Sequence, residues 1–190
     1  MEIIVEPTAL PGVVIVTPTV IRDPRGFFTE SFNRREFEKH GLSCDFVQDN
    51  HSRSAQKVIR GLHFQDMRAP MVKLVRCTAG TILDVAVDVR IGSPTYGRWV
   101  AVELNADNMK QLLVPVGFAH GFATLSDFAE VQYKCSIFYA PETEGCIAWN
   151  DPDIGISWPF NDPIVSKRDA AATSLQDYSK QPAFVYGKAQ

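Results

Sequence analysis

Alternation of apolar and polar residues with a period of two dominates the chain. In Thr81–Val89 (TILDVAVDV), Leu83, Val85, Val87 and Val89 fall on one side, and Ile82, Asp84, Ala86 and Asp88 on the other. That is the pattern of a strand whose side chains alternate across a sheet. Similar runs at Val13–Val16, Gly26–Ser31, Val58–Phe64, Lys73–Thr78, Arg98–Leu104, Gln111–Val114, His120–Leu125, Ala129–Tyr139 and Cys146–Trp149 predict further strands. Gly or Pro punctuates many of the gaps, among them Pro24, Pro70, Gly80, Pro94, Gly117 and Gly145. Many short strands with turn signals this close together predict an all-β sandwich or barrel.

Two segments break the alternation. Asn33-Arg34-Arg35-Glu36 has the residue order of a capping box, and Gly41 stands after His40 where a helix end is capped, so a short helix is predicted over Arg34–His40. Ser166-Lys167-Arg168-Asp169 opens a second short helix in the same way. No repeat or shift of composition marks a second domain, so residues 1–190 are expected to form one, with a polar, loosely held tail after about residue 176. The N-terminal strands either extend the barrel or exchange with those of a neighbouring copy.

Composition narrows the function. With 19 Lys+Arg against 22 Asp+Glu the net charge is −3, and 45% hydrophobic with 22% charged residues is a globular balance. An acidic chain without a basic run argues against nucleic acid and anionic membranes as partners. No apolar run approaches the roughly 18 residues of a membrane span. The start, MEIIVEP, lacks the basic region of a signal peptide, so a cytoplasmic location is expected. Cys44, Cys77, Cys135 and Cys146 form no C-x-x-C pair and are expected to be reduced core residues.

Candidate chemistry gathers around two of the four histidines. His120 lies in Pro115-Val116-Gly117-Phe118-Ala119-His120, which looks like the second half of the cupin signature, a double-stranded β-helix (jelly-roll) superfamily. In metal-binding cupins the first half supplies an H-x-H pair; here that place reads His63-Phe64-Gln65, so one imidazole is missing and no metal is expected. Neither a G-x-G-x-x-G nor a P-loop is present, and no cofactor is implied. General acid–base chemistry is the leading enzymatic option for such a pocket.

Strand parity sharpens it. In Ala129–Tyr139 the odd residues share one face, which turns Tyr133 and Tyr139 inward beside Val131 and Cys135. Lys73 shares a face with Val75 and Cys77. Arg60 and His63 are three apart and would face opposite ways on a regular strand, so both can line one pocket only if Gly61 carries a bulge. Asp169, as the fourth residue of its capping box, is fully accounted for as a helix-capping carboxylate.

The runs DPRGFFTESFN, FVQDNHSRS, VIRGLHFQ, KLVRCTAG, VPVGFAHGFATLSD and GCIAWNDPDIGISWP stand in the order and near-constant spacing of the dTDP-4-dehydrorhamnose 3,5-epimerases, which the chain resembles from about residue 10 to about residue 175. The resemblance implies a cupin jelly roll, usually a homodimer that exchanges N-terminal strands. It also implies cofactor-free inversion of C5 and C3 of a dTDP-linked 4-keto-6-deoxy sugar. By the same resemblance His63 is the base, Tyr133 the acid, Asp169 the carboxylate behind the His, and Lys73 the cation at the keto oxygen. Arg25 and Glu30 match residues given to the neighbouring subunit's site. Gln48, Asp49 and Asn50 match the segment that reaches thymine and sugar, and Arg60 matches a pyrophosphate contact. His120 matches a residue lining the sugar pocket; Glu144 and Arg168 match further ligand contacts, and Tyr139 stands where it could exchange roles with Tyr133. Two places depart from the family pattern: the bulky apolar run Ala69-Pro70-Met71-Val72 before Lys73, expected either to narrow the pocket or to alter the sugar accepted, and Arg168 where Lys is usual. Relatives of this kind invert one carbon or two, or accept other nucleotide sugars. The competing class is a cupin that binds sugars without catalysis, which has no need of an opposed base and acid.

Overall fold

In the computed structural model, which describes residues 1–187, strands β1 (Ile3–Pro7) and β2 (Val14–Pro18) and the hairpin β3 (Val20–Asp23)–β4 (Gly26–Thr29) precede helix α1 (Arg34–Lys39). Then come β5 (Gln48–Ala55), β6 (Ile59–Gln65), β7 (Lys73–Ala79), β8 (Thr81–Asp88), β9 (Trp99–Asn105), β10 (Gln111–Val114), β11 (Phe118–Thr124) and β12 (Phe128–Cys135). A 3-10 turn over Pro141–Thr143 leads into β13 (Glu144–Cys146), followed by helices α2 (Lys167–Ala170) and α3 (Leu175–Lys180).

The strands form two antiparallel sheets, one ordered β1-β2-β10-β7-β12-β5 and the other β13-β6-β11-β8-β9. This is the expected cupin-type jelly roll with few short helices. Between the sheets lies the main core, where Val75, Leu112 and Val131 of the first meet Ile82, Ala86 and Phe122 of the second. The N-terminal strands β1 and β2 extend the first sheet within the chain, through the pairing of β2 with β10.

Both sheets are also covered from outside. Phe37 of α1 packs with Val16 and Leu74 on the first, and Leu62, Val85 and Val87 of the second meet Ile147, Leu175 and Phe184. Up to residue 187 the stretch after residue 176 is therefore held to the second sheet and is not the loose tail its polarity suggested; residues 188–190 of that expected tail lie outside the described residues. Tyr178 is 6% exposed and Phe184 2%. The Tyr178 hydroxyl donates to the Val89 carbonyl at 2.8 Å, and the Ile91 N–H donates to the Phe184 carbonyl at 3.0 Å. A few large apolar residues decide the outcome, each contributing roughly 1.5–3 kcal/mol on burial.

Both predicted helix starts exist, with Asn33 accepting from the Arg35 N–H and Ser166 from the Asp169 N–H. The second box does not close in the expected way, because the Asp169 carboxylate turns away toward the cleft described next. All four cysteines are free, Cys77 and Cys135 buried and the other two partly so.

Candidate active site

One end of the space between the sheets opens into a cleft of about 730 Å³. The second sheet gives it His63 from β6 and His120 from β11, which are direct cross-strand partners. The first sheet gives it Lys73 from β7 and Tyr133 from β12, on neighbouring strands. Asp169 arrives from α2. Base, acid, cation and carboxylate candidates thus meet in one place, with His63 and Tyr133 on opposite walls.

Arg60 joins them through the bulge that its spacing from His63 requires. Opposite β6, His120 pairs with His63 and Phe122 with Arg60, so Gly61 and Leu62 together face Gly121. Gly61 has φ +132°, and a Cβ there would stand 2.6 Å from Gly121 Cα and 2.9 Å from the His120 carbonyl oxygen. Only glycine fits. The bulge also brings the Gly61 N–H to Asp169 Oδ2, at 3.4 Å.

Asp169 is 3% exposed. Its Oδ1 lies 2.7 Å from His63 Nε2. Burial pushes its carboxyl up, but the His63 hydrogen bond and charge, the Gly61 N–H and the Ser166 contact outweigh this and hold it below the ordinary value. Burial is the main influence on His63; it outweighs Asp169 and, helped by the charges of Arg168 and Lys73, sets the imidazole below 6.5. Both directions describe one state, a neutral imidazole donating Nε2–H to a carboxylate. Nδ1 is then the free lone pair.

Arg168 also stands 2.8 Å from His63 Nε2, but a nitrogen that donates to Asp169 cannot accept from a guanidinium. Glu144 holds the other end of Arg168 and also accepts from the Tyr139 hydroxyl at 2.7 Å. His63, Cys146 and Asp169 place three donor atoms within 4.8 Å of one another. The positive charges of Arg168 and Lys73 beside them disfavour a cation, and burial and Asp169 push the Cys146 thiol up to about 12.

Tyr133 is raised above its ordinary value, chiefly by burial, and so keeps its proton at neutral pH. Tyr139 is in a different setting from the one parity suggested. β12 ends at Cys135, where Ser136 and Val72 bond each other, and Tyr139 lies in the following loop, 49% exposed at the cleft mouth.

Gln48 and Asn50 of β5 line the cleft; Asp49 does not. Strand alternation sends Asp49 to the other face, where it pairs with Lys134 at 2.9 Å. Arg25 and Glu30 are also absent from the cleft of their own chain. Arg25 is exposed on the β3–β4 turn against Asp23, and Glu30 binds the N-terminal amine and Asn33. The apolar run before Lys73 does not narrow the cleft: Ala69 is buried against Gln65, and Val72 packs beneath α1.

The residue that sequence reasoning passed over is Asp84. It is wholly buried and accepts from His120 Nε2 at 2.7 Å. The one available signal was an aspartate on the barrel-facing side of β8, in line with Ile82 and Ala86.

A jelly roll whose cleft sets a His–Asp pair on one wall and a tyrosine and a lysine on the other holds the groups that acid–base chemistry needs. Comparison with known proteins gives its kind. Residues 7–177 match the family model of dTDP-4-dehydrorhamnose 3,5-epimerase. The chain is 54% identical over 174 residues to the enzyme of that name from Salmonella typhimurium, covering 90% of this chain and 95% of the relative. The crystal structure of dTDP-6-deoxy-D-glucose-3,5-epimerase from Legionella pneumophila, in complex with dTDP-4-keto-L-rhamnose, superposes with a TM-score of 0.93 at 42% identity, covering 97% of this chain and 99% of that one. A 3'-monoepimerase from Streptomyces bikiniensis, in complex with dTDP-quinovose, superposes with a TM-score of 0.89 at 33% identity, covering 97% and 92%. The chain belongs to the dTDP-4-dehydrorhamnose 3,5-epimerase family and is an isomerase of the dTDP-rhamnose pathway. Among the described residues no helix is long and apolar enough to cross a membrane.

Proposed function

We propose that the protein inverts C5 and C3 of dTDP-4-keto-6-deoxyglucose without a cofactor, giving dTDP-4-keto-rhamnose. His63 Nδ1 takes the proton from the carbon next to the ketone, and the electron pair left behind moves onto the C4 oxygen as an enolate. The Lys73 ammonium holds that oxygen, an interaction worth roughly 3–4 kcal/mol for a well-placed donor. The Tyr133 hydroxyl then protonates the carbon from the opposite face. Solvent restores the tyrosine proton and accepts the one on His63, and the second carbon follows in the same way.

The observation that carries this reading is the placement of His63–Asp169 and Tyr133 on opposite walls of one cleft with Lys73 on the tyrosine's side. Inversion needs groups on both faces of the sugar, and a site that only binds does not. Arg60 suits the pyrophosphate, since a guanidinium fork matches two phosphoryl oxygens. Gln48 and Asn50 suit the nucleoside.

The functional unit in this reading is a homodimer. Arg25 is 89% exposed on a hairpin that also displays Phe27 and Phe28, 56% and 63% exposed, and a neighbour's cleft is where such a cation and apolar pair would be used.

The test is solvent deuterium incorporation into dTDP-4-keto-6-deoxyglucose, located by NMR, with His63→Ala as control. Exchange at C3 and C5 that the variant loses is expected. Exchange at one carbon makes the protein a mono-epimerase, and exchange at neither refutes the reading.

A further inference from the structure

The chain between β12 and β13 crosses from the first sheet to the second at the mouth of the cleft, and it carries Tyr139. Two consecutive N–H groups of this crossing are held by side chains. The Tyr139 N–H donates to Gln48 Oε1 at 3.0 Å, and the Ala140 N–H donates to Gln65 Oε1 at 2.9 Å. Gln48 stands on β5 of the first sheet and Gln65 on β6 of the second, so one glutamine from each sheet grips the crossing. Gln48 lines the cleft and is given to the ligand in the reading above. Gln65 does not line it: the residue is 5% exposed, and its Nε2 donates to the Ala69 carbonyl at 3.0 Å.

Both ends of the Gln65 amide are thus spent on the backbone of two separate loops, the one before β7 and the one after β12. The same loops are joined further out, where the Asp66 N–H donates to the Thr143 carbonyl at 2.9 Å and Arg68 to the Glu142 carbonyl at 2.6 Å. Gln65 is the buried end of that seam. Lys73 does not depend on it, because the β7 ladder fixes Lys73 opposite Val114 and Cys135. Tyr139 does, because β12 ends at Cys135 and no ladder reaches the loop beyond. We propose that Gln65 is a positioning residue for the mouth of the cleft: by holding the Ala140 N–H to β6 it fixes how Tyr139 presents its ring beside Gln48 and Asn50, and with it the affinity for the nucleotide end of the ligand. This rests on the epimerase reading above and adds to it a residue that never touches substrate.

The residue type fits the task. Gln65 fills the second place of the H-x-H pattern, where a metal-binding cupin carries an imidazole. An amide offers a donor and an acceptor from one planar end and never ionises, which suits a carbonyl on one side and an N–H on the other. Across the β6–β13 ladder Gln65 pairs with Glu144, whose carboxylate accepts from the Tyr139 hydroxyl at 2.7 Å. Tyr139 is therefore held at three points, its hydroxyl by Glu144, its own N–H by Gln48 and the next N–H by Gln65. Without the third, the loop gains conformations in which the ring is misplaced, and the apparent affinity falls by the fraction of molecules that adopt them.

The experiment is the affinity for dTDP by titration calorimetry, with kcat and KM beside it, for Gln65→Met, Tyr139→Ala and the two combined. Gln65→Met keeps the length of the side chain and removes both hydrogen bonds. It is expected to weaken dTDP binding and raise KM about tenfold, the scale of one lost hydrogen bond, with kcat within about twofold of wild type. Because Gln65 acts through Tyr139, the combined variant is expected to bind no more weakly than Tyr139→Ala alone. Gln65→Asn keeps the buried amide but is one methylene too short to reach both loops, so its affinity falls in the same direction, and it serves where Gln65→Met does not fold. Wild-type affinity in a folded Gln65→Met or Gln65→Asn protein, whatever its melting temperature, overturns the assignment. So does a combined variant that adds the full loss of Gln65→Met to that of Tyr139→Ala, or a fall in kcat with affinity unchanged. Wild-type deuterium exchange runs alongside: its absence refutes the epimerase reading, whereas its presence with unchanged affinity in the variants refutes only the role of Gln65.

Discussion

His63 and His120 face each other across the β6–β11 ladder, and each has its Nε2 2.7 Å from an aspartate of its own. The pairs look equivalent but their surroundings divide the work. The His63 side chain is 22% exposed and the His120 side chain 9%. Asp169 receives the Gly61 N–H on its second oxygen, whereas the second oxygen of Asp84 has no donor. The more open, better-supported pair is the one that the proposed reaction uses as its base.

Asp169 is the group that raises the basicity of His63 against its burial, so Asp169→Asn tests the pair directly. Asp169 supports protonation of the imidazole, while burial, Arg168 and Lys73 oppose it. Wild-type kcat/KM is expected to fall on the acid side through a pKa below 6.5. In Asp169→Asn that limb moves lower still, and kcat drops by about a hundredfold or more as base strength and tautomer are lost. Stability follows the same signs. A depressed carboxyl stabilises the fold above its unfolded pKa and stops doing so as pH falls through the folded one. A depressed imidazole makes the fold weaker as pH falls below 6.5. Both losses run toward acid, and a series of melts from neutral to acid pH checks them.

Tyr133 and Tyr139 differ in what their hydroxyls can do. Tyr139 is exposed and already donates to Glu144. Tyr133→Phe is expected to abolish inversion yet leave deuterium exchange, because His63 still removes and returns a proton on its own face. Tyr139→Phe should keep inversion and change mainly KM. Loss of inversion in Tyr139→Phe with its retention in Tyr133→Phe would reverse the assignment, and one NMR time course on each variant decides.

The strands that build the barrel were legible from alternation, including β7, β8 and β10 almost to the residue, and so were Lys73 and Tyr133 as inward residues. What escaped has physical reasons. β5 reads QDNHSRSA, with no apolar stripe, because it is an edge strand with one face on solvent and the other on the cleft. β8 is buried on both faces, so its two sides could not be ranked, and Asp84 could not be singled out as the partner of His120. Asp169 had a sufficient local explanation in its capping box; only tertiary structure turns its carboxylate to a histidine 106 residues away. Its role, like those of Arg60 and Glu144, came from family resemblance and not from pattern.

Gly61 is where the backbone makes the site. Gly61→Ala places a Cβ 2.6 Å from Gly121 Cα at φ +132°, and neither neighbour can retreat, since both are backbone in a paired ladder. A loss of roughly 1–3 kcal/mol in stability is expected from the strained conformation. Activity should fall further than the remaining folded fraction explains, because the same bulge aims Arg60 and the Gly61 N–H. Unfolding curves and kcat on the folded protein separate the two effects; equal losses in both would contradict the role given to the bulge.

Phe184 tests the covering of the second sheet. It packs edge-on against Phe64 with ring centroids 5.5 Å apart and is 2% exposed. Phe184→Ala is expected to destabilise the fold by about 3–5 kcal/mol. A change below about 1 kcal/mol in denaturant unfolding would show that this segment is dispensable.

Arg168 lines the cleft and its charge bears on His63, so in the proposed reading it links substrate binding to basicity, and two substitutions separate those effects. Its charge lowers His63, so Arg168→Gln should let the imidazole pKa rise and shift the acid limb of kcat/KM to higher pH. It also removes a cation from the cleft, and KM should rise by roughly ten- to hundredfold, the loss of a charge-assisted hydrogen bond of about 1.5–3 kcal/mol. Arg168→Lys keeps the charge but not the planar fork that Glu144 and Asp169 engage. Its acid limb should stay with the wild type while KM rises by a smaller factor. If both variants shift the limb alike, shape and not charge governs His63, and the electrostatic account of the pair is wrong.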